Sequence, residues 1–81
     1  MVEQDWYSSV VPLAIRLRSY LLGRIGTWFI DKRDFLREFP DEDPEEVEHA
    51  IDILRTNAAI FPVSGTDTYR INWKRLSSVG L

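Results

Sequence analysis

The chain has 81 residues, a formal net charge of −3 and no cysteine. That length suits one domain with a small core, and the lack of thiols excludes disulfides and thiolate metal sites. A hydrophobic fraction of 44% with ten aromatics belongs to a packed domain rather than a disordered chain.

Met1 to Asp5 is acidic, unlike the basic start of a signal peptide. Val10 to Ile25 is rich in aliphatics, but Arg16, Arg18 and Arg24 interrupt it. It also falls short of the ~20 apolar residues that a membrane span needs. The expectation is a cytoplasmic protein with no membrane contact. A first helix is predicted from about Ser9 to Leu22, capped by Ser8 or Ser9, with Pro12 in its first turn. Leu13, Leu17 and Leu21 form its buried stripe, with Ala14 and Ile25 near the same face. Gly23 and Gly26 end it through the left-handed backbone that glycine accepts.

Thr27 to Ile30 reads as a short strand. Asp31 then caps a second helix through Phe39, buried along Phe35, Leu36 and Phe39 and stopped by Pro40. Asp43-Pro44-Glu45-Glu46 is a strong start for a third helix: a cap, a proline at the first helical position, and acids near the positive end of the dipole. Its apolar stripe is Val47, Ala50, Ile51, Leu54 and Ala58, and it ends near Asn57. Ile60 to Val63 is a strand whose Pro62 suits an edge. Ser64 to Asp67 is a turn, and Thr68 to Trp73 a second strand. Its alternation places Tyr69, Ile71 and Trp73 on one face and Arg70, Asn72 and Lys74 on the other. Arg75 to Leu81 reads as a weakly specified tail or linker. The domain is therefore the whole chain, with its core at about residues 9–73.

This order, carried by "TWFIDKRDFL", "DPEEVEHAIDIL" and "IFPVSGTDTYRINW", resembles the winged-helix superfamily. The resemblance implies an α+β fold: a winged helix-turn-helix, with a three-helix core and a small antiparallel sheet forming a β-hairpin wing. Winged helices serve both as DNA readers and as protein-docking modules, so the fold alone leaves function open.

Charge distribution bears on that choice. Asp41, Glu42, Asp43, Glu45, Glu46, Glu48 and Asp52 crowd residues 41–52, leaving six acids against all ten Lys and Arg elsewhere. With Val47 inward, the outer face of the third helix carries Glu45, Glu48, His49, Asp52 and Thr56. A base-reading face needs Arg, Lys, Asn or Gln, and three acids are repelled by phosphates. The DNA expectation rests instead on Arg70, Asn72, Lys74 and Arg75 of the wing, Lys32, Arg33 and Arg37 of the second helix, and Arg55 late on the third. Such a transcription-associated accessory module would bind weakly, through the backbone, with strong salt dependence.

The alternative is a docking or oligomerisation module without DNA binding. It would use the acidic third helix (Glu45, Glu48, His49, Asp52) and a second apolar stripe on the first helix, Val11, Ile15 and Leu22. An exposed apolar patch marks an interface, unless Trp6 and Tyr7, or Leu76 and Val79, fold over it. Chemistry is scarce. His49 is the only histidine, Glu46 stands where a calcium loop needs glycine, and no phosphate loop is present. No enzyme activity, cofactor, metal or small-molecule ligand is expected.

Overall fold

The computed structural model describes residues 2–78, and side chains from residue 10. Its elements are α1 (Val2–Leu22), β1 (Phe29–Asp31), α2 (Lys32–Glu38), α3 (Pro44–Thr56), β2 (Ile60–Pro62), β3 (Thr68–Ile71) and α4 (Trp73–Ser78). The protein is α+β, and its described residues form four helices and one three-stranded antiparallel sheet ordered β1-β3-β2. Among the described residues, no helix is long and apolar enough to cross a membrane.

α1 starts earlier than its local signals suggest. It runs through Ser8 and Ser9, so neither is a cap, and Pro12 lies inside it. Proline there forfeits one helical hydrogen bond. Packing offsets that loss, since Val10, Leu13, Ala14, Leu17 and Leu21 are all buried. Ile25 leaves the core altogether and is exposed beyond the helix. The helix unwinds through turns in which the Gly23 and Arg24 N–H groups donate to Tyr20 and Leu21 carbonyls. Only Gly26 of the two glycines takes a left-handed backbone, with φ of 103°.

β1 is offset from the expected 27–30 because pairing decides it. Phe29, Ile30 and Asp31 face Arg70, Tyr69 and Thr68 of β3. Asp31 then caps α2, and its backbone N–H donates to the Asp34 carboxylate. On α2, Phe35 is fully buried. α3 forms where its start signal places it. The Asp43 carboxylate accepts from the Glu45 N–H at 2.9 Å, and Pro44 holds the first position. Val47, Ala50, Ile51 and Leu54 are buried against α1 and the sheet. Ala58 is not part of that stripe. It has φ of 61°, and the chain reverses there so that the Ala59 N–H reaches the Leu54 carbonyl at 2.9 Å.

The hairpin β2–β3 closes through Ser64 to Asp67, where the Val63 N–H donates to the Thr68 carbonyl and Gly65 takes φ of 79°. Beyond it the structure departs most from expectation. Trp73 starts a helix rather than continuing a strand, and residues 73–78 are not a tail. Asn72 makes the switch. Its N–H donates to the Ala59 carbonyl, its Nδ2 to the Ala58 carbonyl, and its Oδ1 accepts from the Arg75 N–H. Leu76 drops into the core, fully buried. Arg18 of α1 grips the far end, donating from Nε to the Leu76 carbonyl at 2.8 Å and from Nη2 to the Ser77 carbonyl at 3.1 Å. A cation suits those otherwise unpaired carbonyls. The core thus lies between α1 and α3 on one side and Ile30, Ile60 and Ile71 of the sheet on the other, with Phe35 and Leu76 closing its ends.

Candidate functional site

The outer face of the sheet is built from the residues that alternate with Ile30, Ile60 and Ile71. One row across it is fixed by register: Phe29 of β1 and Phe61 of β2 are both Cα partners of Arg70 on the central strand. A basic residue therefore stands between two aromatic residues in the backbone register. Both rings are open to solvent, Phe29 at 56% and Phe61 at 44%. Trp28 is exposed at 59%, although its carbonyl still accepts from the Ile71 N–H of β3 at 2.9 Å.

Beside this row lies an open groove of about 390 Å³, lined by Trp28, Phe61, Arg70, Ile71, Asn72, Trp73 and Lys74. Trp73 is fixed there by its indole N–H, which donates to the Thr27 carbonyl at 2.8 Å. Among the described residues, the charged side chains in this lining are Arg70 and Lys74, both exposed, with no carboxylate. The acid on the same face of β1 is Asp31, one row away. It accepts from the Thr68 hydroxyl and faces Arg33 at 3.8 Å. Aromatic faces beside uncompensated cations attract flat, anionic ligands by stacking and charge together.

Of the sequence-predicted basic residues, the structure brings Arg70, Asn72 and Lys74 together on this groove. Asn72 is occupied in starting α4. Arg75 turns elsewhere and donates from Nε to the Asn57 carbonyl at the end of α3. The remaining basics each sit against an acid. Lys32 meets Glu48 at 2.6 Å, Arg33 meets Asp31, Arg37 meets Asp34 at 3.9 Å, and Arg55 meets Asp52 at 3.4 Å. They are outside the groove lining.

The Lys32–Glu48 bridge ties α2 to the acidic face of α3. The hydrogen bond to Glu48 raises the Lys32 pKa above its ordinary 10.5, against the opposing pull of desolvation. Negative charge on Glu48, Asp67 and Tyr69 adds to the rise. A raised folded value means that the bridge stabilises fully below the unfolded lysine pKa, about 10.4. The contribution fades as pH climbs through the folded value. Glu48→Gln is expected to cost no more than about 1 kcal/mol at neutral pH. It should also flatten the alkaline decline. Urea unfolding midpoints of both proteins near pH 8 and pH 11, roughly bracketing the lysine range, measure this. An equal alkaline decline in the two would show that the bridge contributes nothing.

The expected partner residues are scattered. Glu45, Glu48 and Asp52 are exposed on α3, while His49 is half-buried beside Asp43, Glu45 and Glu46. On α1, Leu22 packs against the core and Val11 is half-buried, leaving Ile15 exposed at 38%. α4 covers part of this side through Arg18, with Leu76 on the inside. The side chains of Trp6, Tyr7 and Val79, read as a cover, lie outside the described residues.

Sequence reading found the cations of this face but missed Trp28, Phe29 and Phe61. Alternation gave the signal for two of them. With Ile30 and Ile60 inward, Phe29 and Phe61 must point outward. Their juxtaposition across Arg70 depends on β1 pairing with β3, which no local pattern encodes. Comparison of the chain with protein-family models, with curated proteins and with solved structures found no match.

Proposed function

We propose that this protein is a winged-helix-type accessory module that binds nucleic acid through the outer face of its sheet, with β2–β3 as the wing. The carrying observation is Arg70 set between exposed Phe29 and Phe61, with Lys74 on the adjoining groove and no acid among the described residues of its lining. The order of helix, strand, two helices and hairpin supports the winged-helix assignment. α3 is not the reading element, because Glu45, Glu48 and Asp52 on its exposed face would meet phosphate oxygens. The basic residues of α2 are secondary, since each faces a carboxylate. On this reading the protein is a cytoplasmic binding module and not an enzyme, and its contacts are mainly to the backbone, with little base preference.

The test is a fluorescence-anisotropy titration with mixed-sequence nucleic acid, duplex and single-stranded, across a salt series. Wild type should bind at low salt and lose affinity steeply as salt rises. Replacing Arg70 and Lys74 together with alanine removes two phosphate contacts, so it should lower the salt slope by roughly one to two units and weaken low-salt binding about tenfold or more. A wild-type protein that binds neither form at low salt refutes the proposal. The docking alternative has thinner support: with Leu22 packed inward and Arg18 holding α4, the outer stripe of α1 narrows to Val11 and Ile15.

A further inference from the structure

Building on the nucleic-acid reading, we infer that the sheet face takes single strands, with unstacked bases lying on Phe29 and Phe61 and the phosphates between them held by Arg70 and Lys74.

Ring spacing separates this ligand from a duplex. Neighbouring strands lie about 4.8 Å apart, so Phe29 and Phe61, on either side of β3, have Cα atoms about 10 Å apart. Successive bases of a duplex strand are about 3.4 Å apart, each face covered by a neighbour. Rings so widely set on a sheet cannot reach the faces of an intact stack. Bases splayed from a single strand can lie on them, one to each ring. Trp28, also exposed, lines the adjoining groove.

The basic residue between Phe29 and Phe61 in the register fits the same ligand. Arg70 has a planar, forked guanidinium that grips a phosphate with two parallel hydrogen bonds or stacks on a base. Its place in the register leaves a phosphate between two stacked bases within its reach. Lys74 adds a second charge where the strand would leave along the groove. A second copy of this chain fits worse. A two-fold contact through this face would bring the Arg70 and Lys74 charges of both copies into one interface, and like charges gathered there are unfavourable.

The experiment compares one labelled mixed-sequence oligonucleotide as single-stranded DNA, as single-stranded RNA and as annealed duplex, by anisotropy at low salt. A single strand should bind about tenfold or more tighter than the duplex, with quenching of tryptophan emission. Phe29→Ala and Phe61→Ala should each weaken single-strand binding roughly five- to 100-fold. Both should lower the ratio of single-strand to duplex affinity, since intact stacks do not reach the rings. Both side chains are exposed, so unchanged circular dichroism melts confirm that the variants fold. A preference for DNA or for RNA names the source of the strand, the 2′-hydroxyl being the discriminating group. If duplex binds as well as single strands, or the phenylalanine variants bind single strands normally, the single-strand assignment falls while nucleic-acid binding stands. Failure of all three ligands removes both. A free protein that sediments as a dimer, split by Phe61→Ala, would give the face to a second copy and overturn the inference.

Discussion

Phe35→Ala is expected to remove a large share of the domain's stability. Phe35 is fully buried and is the main anchor of α2. Its ring meets Tyr20 edge-on at 6.0 Å between centroids, and Tyr20 meets Phe39 the same way at 6.2 Å. Arg16 lies over the Phe39 ring at 5.0 Å and pairs with Glu42 at 2.7 Å, so the cluster also links α1 to the turn before α3. Truncating a buried phenylalanine to alanine costs about 3–5 kcal/mol. Marginal stability of about 0.05–0.15 kcal/mol per residue gives a chain of this length roughly 4–12 kcal/mol in total. The loss is thus roughly a quarter or more of all that holds the domain together. Urea unfolding followed by circular dichroism is the measurement. A loss under about 1 kcal/mol would mean that α2 is not seated as described, since a void of that size cannot be so cheap.

Leu76→Ala should cost about 2–5 kcal/mol, the range for emptying a fully buried leucine site. This variant probes the element whose character the sequence hides. A tail after Trp73 would tolerate the change, as surface substitutions usually fall within about 0.5 kcal/mol. In the structure Leu76 fills the core, its carbonyl receives Arg18, and its N–H donates to the Asn72 carbonyl at 2.8 Å. Ser77→Ala is the control, exposed and on the same helix. Equal denaturation midpoints for the two variants would return α4 to the status of an appendage.

How much of this was legible depends on whether the relevant force was local. α3 was readable because its signal is local: Asp43 caps, Pro44 starts, and the stripe from Val47 to Leu54 recurs at helical spacing. Asp31 capping α2 and the turn around Gly65 were readable for the same reason. The start of α1 was not, because Ser8, Ser9 and Pro12 are local stop-and-start signals that packing of Val10 and its neighbours overrides. The stretch from Arg70 to Leu76 is too short to tell alternation from one helical turn. Asn72, a good cap residue ahead of Trp73, was the clue to the turn. For the site, Arg70 and Lys74 could be named but not their isolation from acids. The acids opposite Lys32 and Arg55 are set by helix packing and helix spacing. Phe29 and Phe61 became a pair only through a third strand on β3.

That strand order has a consequence for how the molecule is made. β3 is the middle strand, yet it follows both of its partners in the chain. While a ribosome has released only the residues before Thr68, two edge strands exist with nothing to join them, and Ile30 and Ile60 have no sheet to bury. The nascent chain must therefore wait, with its helices formed at most in part, until its late segment emerges and both ladders close together. Nascent chains with only residues 1–67 clear of the ribosome and with all 81 residues clear of it should differ sharply in protease resistance, the first being cut and the second protected.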